Sequence, residues 1–189
     1  MYKVCLRSLG YAGQWNKVLE LLNEGEKKLG YTFSADTRMS IMKAAKSLGQ
    51  IDVIHLMIEQ MENGRENGSS LESWPTTQAY TLAIMACSKK GDWKRAIKIM
   101  NSMNKGPNGL APNVFVFNAV LSCCERSKQW DLALELFDYM PKLSLEPDLV
   151  TLNTVISACA KGAKWEKALE ILSYMREIVK PDNFSYNSA

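Results

Sequence analysis

The chain has 189 residues, 47% hydrophobic and 23% charged, with five cysteines, one histidine and a formal net charge of +3. That balance belongs to a folded globular chain and excludes a disordered tail; the small positive excess means that any nucleic-acid footprint must come from placement rather than total charge. No apolar run approaches the ~20 residues that cross a bilayer, and MYKVCLRSLGYAG turns helical too soon for a signal or transit peptide.

Residues 1–34 read as a partial unit. YKVCLRSLGYAGQWNKVLELL places apolar residues at helical spacing, with a turn around Gly10 and Gly13 and a second helix opening at Trp15. Residues 35–76 repeat the plan with Met39 early in the first helix, a turn at Gly49-Gln50-Ile51 and Met61 late in the second. A polar insertion, NGRENGSSLES from Asn63 to Ser73, then precedes Trp74-Pro75. Its Asn67-Gly68-Ser69 matches a glycosylation acceptor, against which the cysteine usage speaks. Residues 77–113 bring Tyr80-Thr81, Cys87, Gly91-Asp92-Trp93, AIKIM, Met103 and Pro112-Asn113, with Asp92 the expected N-cap of the second helix and KGPNGLA (105–111) lengthening the unit.

The segments 114–148 and 149–182 are internal copies. Asn118/Asn153, Val120/Val155, Ser122/Ser157, Cys124/Cys159, Trp130/Trp165, Ala133/Ala168, Tyr139/Tyr174, Met140/Met175 and the closing Pro147-Asp148/Pro181-Asp182 recur in register. A period of about 35 residues is the signature of stacked supersecondary units, none of which can bury its apolar face alone. Residues 183–189 begin another first helix and stop, as expected of a chain ending inside a unit. The expected core is Val120, Leu121, Cys124 and Val155, Ile156, Cys159 on first helices, with Ala133, Leu134, Leu136, Phe137 and Ala168, Leu169, Ile171, Leu172 on second helices. Trp15, Ile51, Trp93, Trp130 and Trp165 each open a second helix, and the tryptophans are expected in the core rather than as stacking platforms.

The unit resembles the pentatricopeptide (PPR) motif, on Phe117-Asn118 and Leu152-Asn153 opening the first helix, ALELF and ALEIL in the second, Met140 and Met175 near its end, and the closing Pro-Asp pairs. The tetratricopeptide repeat, of similar length, lacks both the terminal Pro-Asp and the early Asn. The resemblance implies an all-α, right-handed α-solenoid with four full units (35–76, 77–113, 114–148, 149–182) and partial units at both ends (1–34, 183–189). It also implies binding of single-stranded RNA. The fifth residue of a unit and its last residue would read one base, and the second residue would wedge between bases. In this chain those fifth residues are Thr81, Asn118 and Asn153, the last ones Asn113, Asp148 and Asp182, and the wedges Phe115, Val150 and Phe184, with Gln78 in the earlier unit. The family's preferences imply adenine for Thr81 with Asn113 and uracil for both Asn-Asp pairs, hence a core 5′-A-U-U-3′. Lys3 falls in the Asn slot of the first unit, which is therefore expected to cap rather than read.

Lys89, Arg126 and Lys161 stand two residues beyond the repeated Cys. Their register suits a row of phosphate contacts and equally suits solubilising charges at helix C-termini. Asn118 and Asn153 have helix capping as their structural alternative, although Asn113 and Asp148 just upstream already supply cap candidates.

Catalysis finds no motif. His55 sits at an apolar position of the repeat and reads as a packed histidine, while Glu20, Glu135 and Glu170 read as a solvated stripe. Cys87, Cys124 and Cys159 share one repeat position, which argues for packing, and Cys5 and Cys123 lack zinc spacing; neither metal nor cofactor is expected. The expectation is a non-enzymatic RNA-binding protein acting in organellar RNA processing, stability or translation, in mitochondrion or plastid on the strength of the resemblance alone. Two other readings stay open. The chain is a scaffold subunit of an organellar ribonucleoprotein such as a ribosome, touching protein subunits and RNA shape, or it is the RNA-binding arm of an enzyme whose catalytic domain lies outside it.

Overall fold

A computed structural model of the chain describes residues 2–29, 33–63, 75–104 and 109–188. Among the described residues all regular structure is helical: α1 (Tyr2–Tyr11), α2 (Trp15–Leu29), α3 (Ala35–Ser47), α4 (Ile51–Asn63), α5 (Thr77–Lys90), α6 (Trp93–Met103), α7 (Val114–Arg126), α8 (Trp130–Tyr139), α9 (Leu149–Lys161), α10 (Trp165–Ile178) and α11 (Asn183–Ser188), with a 3-10 turn at Pro141–Leu143. The glycosylation-like Asn67-Gly68-Ser69, Trp74 and most of both polar insertions lie outside the described residues. No helix among the described residues is long and apolar enough to cross a membrane.

The hairpin turns follow from one local device. Trp15, Ile51, Trp93, Trp130 and Trp165 are the first residues of α2, α4, α6, α8 and α10. Two residues before each, the backbone enters the left-handed region, at Gly13, Gly49, Gly91, Lys128 and Ala163 (φ 55° to 72°). The next amide then bonds back to the first helix: Gln14 N to Leu9 O (3.0 Å), Gln50 N to Ala45 O (2.9 Å), Asp92 N to Cys87 O (3.1 Å), Gln129 N to Cys124 O (2.9 Å) and Lys164 N to Cys159 O (2.9 Å). This satisfies a carbonyl that the helix end would leave unpaired. The second helix starts at once, and Asp92 caps α6 by accepting from Arg95 N at 3.2 Å.

The chain divides into two compact units, one up to Ala86 and one from Cys87, with α5 contributing to both. In the first, α3 packs against α1 and α4 around Leu6, Val18, Leu22, Ile41, Met42 and Ile54, all buried. Trp15 is buried too, against Gly10, where a side chain would meet its ring. The Tyr80 hydroxyl donates to Glu62 at 2.9 Å.

In the second unit α9 packs against α7, α8, α10 and α11, and α7 against α6 and α8 as well. Val116, Phe117, Val120, Leu121, Leu152, Val155 and Ile156 are fully buried, joined by Ala133, Ala168 and Met175 from the second helices and by Met140 at the end of α8. Each large side chain of this set contributes about 1.5–3 kcal/mol by leaving water. Cys87, Cys123, Cys124 and Cys159 are buried and Cys5 is exposed; burial pushes the Cys123 and Cys124 thiols up to about 12. His55 is half-buried, 3.4 Å from Glu59.

Two expected core residues are not core. Trp165 is 62% exposed and Leu169 45% exposed, while Leu134, Phe137, Trp93 and Trp130 are half-buried. The contrast between Trp130 and Trp165 has a packing cause. The next hairpin turn lies over Trp130, with Gly162 against its ring and the Lys164 ammonium 4.9 Å from the ring centroid. Among the described residues no complete hairpin follows α10, and its opening Trp is left open.

Candidate functional site

The start of each first helix in the second unit is built around a capping side chain. Asn113 caps α7, its Oδ1 accepting from Val116 N at 3.1 Å. Asp148 caps α9, accepting from Thr151 N at 2.8 Å, while Thr151 Oγ1 accepts in return from Asp148 N at 3.3 Å. This reciprocal pair satisfies two otherwise orphaned amides. Asp182 repeats the arrangement with Ser185 at 2.9 Å and 3.1 Å.

Asn118 and Asn153 are not caps. Each sits one turn inside its helix and donates across to the cap that ends its own repeat: Asn118 Nδ2 to Asp148 Oδ1 at 3.1 Å and Asn153 Nδ2 to Asp182 Oδ1 at 3.3 Å. The amide oxygen of each accepts from the following repeat's hydroxyl, Thr151 Oγ1 at 2.6 Å and Ser185 Oγ at 2.6 Å. Two Asn-Asp-hydroxyl clusters thus stand in equivalent places. The Asn-Asp pairs are visible in the sequence; the hydroxyls are not among its expectations, although a Thr or Ser three residues after the capping Asp marks them.

Both carboxylates titrate below the ordinary Asp value. For Asp148, burial works to raise it and is outweighed by hydrogen bonds from Thr151 and Asn118. For Asp182 the amide and hydroxyl of Ser185 lead, with Asn153 adding to them. These side-chain and cap bonds fall on Oδ1, and the Val150 and Phe184 backbone amides also favour the charged Asp148 and Asp182.

Phe115, Val150 and Phe184 are exposed by 72%, 57% and 54%. Each lies three residues before Asn118, Asn153 or the corresponding place in α11, so the apolar and amide groups share one helix face. Exposed aromatic or branched side chains beside ordered polar groups make a surface that can take a flat, hydrogen-bonding ligand. In the first unit the Thr81 hydroxyl donates to Thr77 O at 2.7 Å.

The basic row is engaged with the fold. Arg126 Nη1 reaches Lys89 O at 3.5 Å, and Lys161 Nζ lies 2.8 Å from Glu125 Oε1, which also accepts from Ser157 at 2.6 Å. The Lys161 charge is therefore partly neutralised. Among the described residues no group of His, Cys, Asp or Glu could hold a metal ion.

Helical hairpins joined by left-handed turns, two of them closed by an Asp cap that holds the preceding Asn, define an α-solenoid repeat protein that presents an ordered amide in each of those two repeats. The PPR repeat family model matches residues 112–161 and 147–189, and the pentatricopeptide repeat domain model matches residues 75–127. The chain belongs to the pentatricopeptide repeat family. Its curated relatives include the mitochondrial 15S rRNA processing factor CCM1 of Yarrowia lipolytica, 28% identical over 130 residues, which covers 68% of this chain and 16% of that protein. They also include the chloroplastic pentatricopeptide repeat-containing protein 10 of Zea mays, 28% identical over 75% of this chain and 17% of that protein. The crystal structure of PPR10 from maize superimposes with a TM-score of 0.73 at 25% identity, covering 99% of this chain and 26% of that one. The nuclear proteinaceous RNase P 2 of Arabidopsis thaliana shares the fold, with a TM-score of 0.72 at 14% identity, over 99% of this chain and 40% of that one. The chain thus spans a small part of each relative's length.

Proposed function

We propose that this chain binds single-stranded RNA through its PPR repeats, without a catalytic role of its own, and serves organellar RNA processing, stability or translation in a mitochondrion or plastid. The carrying observation is the twice-repeated cluster that holds Asn118 against Asp148 and Asn153 against Asp182, each on the helix face of an exposed apolar side chain. An ordered amide and the carboxylate beside it offer donor and acceptor to one base edge. Phe115, Val150 and Phe184 would stack with bases, at roughly 1–3 kcal/mol per base. Relatives point the same way: one is a mitochondrial rRNA processing factor, and PPR10 has been crystallised with an 18-nt psaJ RNA element.

In this reading the units are 35–76, 77–113, 114–148 and 149–182, with partial units 1–34 and 183–189. Thr81 with Asn113 takes adenine, and the two Asn-Asp pairs take uracil. Lys89, Arg126 and Lys161 contact phosphates. Titration of the chain against short strands containing 5′-A-U-U-3′ or 5′-A-C-U-3′ tests it. Asn118→Ser is expected to weaken discrimination at the middle base by about 1–3 kcal/mol with the fold retained. Lys161→Gln is expected to lower affinity for all strands alike and to reduce the salt slope by less than the ~0.7 of a full phosphate contact, given its pairing with Glu125. Equal binding of both strands by the unaltered chain, or binding of neither, would leave the scaffold reading in its place.

A further inference from the structure

We infer that Thr151 and Ser185 are specificity-positioning residues: the hydroxyl at the third position of one repeat locks the base-facing amide of the repeat before it. The inference rests on the RNA-reading proposal and adds a residue to it.

A single hydroxyl proton decides how the cluster is wired. The Thr151 hydroxyl lies 2.6 Å from Asn118 Oδ1 and 2.8 Å from Asp148 Oδ1, and it can donate to only one of them. Asp148 Oδ1 already accepts from Thr151 N and from Asn118 Nδ2. Directing the proton to Asn118 closes a ring in which each donor is used once. Asp148 N donates to Thr151 Oγ1, Thr151 Oγ1 to Asn118 Oδ1, and Asn118 Nδ2 to Asp148 Oδ1. Hydrogen bonds closed in this way polarise one another and hold their members in one orientation. Ser185 builds the same ring with Asn153 and Asp182.

The ring ties both ends of the amide, leaving one Nδ2 hydrogen for a base. Uracil presents a carbonyl acceptor where cytosine presents an amino donor. A fixed N–H donor therefore satisfies uracil and meets cytosine donor to donor, leaving a desolvated group unpaired. An amide tethered only through its nitrogen can turn and offer its oxygen to the amino group instead. On this logic the hydroxyl sets selectivity between the two pyrimidines, although it touches neither. The repeat opened by Val114 carries Val116 at the same place, fully buried, and its cap Asn113 is held by one amide bond only. Valine therefore packs at this position without disturbing the helix start.

The test is titration of the chain and of Thr151→Val, Thr151→Ser and Ser185→Ala against strands carrying A-U-U, A-C-U and A-U-C. Thr151→Val should lower the uracil-over-cytosine ratio at the middle base by about 3- to 10-fold, the range of one net hydrogen bond, and leave the third base alone. Thr151→Ser should restore it, and Ser185→Ala should shift the third base only. The Asn118 side-chain amide resonances should be resolved and slow to exchange in the unaltered chain and should collapse towards those of a free amide in Thr151→Val. A uniform drop in affinity with both ratios intact would make Thr151 a helix cap and nothing more, overturning the inference while leaving the reader in place. An unaltered chain that ignores the middle base would overturn the reading itself.

Discussion

Gly162 and Ala163 sit side by side in the turn between α9 and α10, and exchanging glycine and alanine at each should move stability in opposite directions. Gly162 has φ −86°, open to any residue, so its lack of a side chain serves space. A Cβ built there would lie 2.3 Å from Trp130 Cδ1, 2.5 Å from Cγ and 2.9 Å from Cβ. Trp130 Cβ is fixed by the backbone of α8, so a new rotamer could move Cδ1 and Cγ but not the 2.9 Å contact, and either the turn or α8 must shift. Overpacking of this kind costs about 1–3 kcal/mol, and the shift would also carry Lys164 off the Trp130 ring. Ala163 has the opposite problem: at φ 55° its Cβ costs roughly 1–2 kcal/mol, against about 0.4–1 kcal/mol of unfolded-chain entropy that alanine saves over glycine. Ala163→Gly should therefore gain about 0.5–1 kcal/mol. Thermal unfolding followed by circular dichroism reads both, at about 2–4 °C per kcal/mol for a chain of this size. A neutral or raised midpoint for Gly162→Ala, or a lowered one for Ala163→Gly, would refute this account of the turn.

Thiol chemistry and acid unfolding give two further tests. At pH 8 one of the five cysteines, the exposed Cys5, should react rapidly with a disulfide reagent, because burial keeps Cys123 and Cys124 protonated and closes off Cys87 and Cys159; a second fast thiol in the native chain would contradict the packing described. The depressed titration of Asp148 and Asp182 contributes stability that is present above the unfolded value near 3.8 and is lost as pH falls through the lower folded values. Denaturant midpoints should accordingly decline below about pH 4. Asp148→Asn should be the less stable chain at pH 7, with a gap that narrows in acid; a gap constant from pH 7 to pH 2 would show that the charge on Asp148 carries none of the effect.

Much of this molecule is local and was therefore legible in the sequence. Periodic apolar residues and capping side chains act within a few residues of themselves, so the openings of the second helices at Trp15, Ile51, Trp93, Trp130 and Trp165 and the cap at Asp92 could be read in one dimension. The Gly at 13, 49 and 91 marked the left-handed turns, whereas Lys128 and Ala163 do the same work unmarked, because the turn is imposed by the hairpin that follows. Which tryptophan is covered was decided in three dimensions: Trp130 and Trp165 occupy the same register, and among the described residues a following turn lies over Trp130 alone. The pairing of Asn118 and Asn153 with hydroxyls more than thirty residues away likewise belongs to the stacking of one hairpin on the next, since no local rule ties the third residue of one repeat to the fifth of its predecessor.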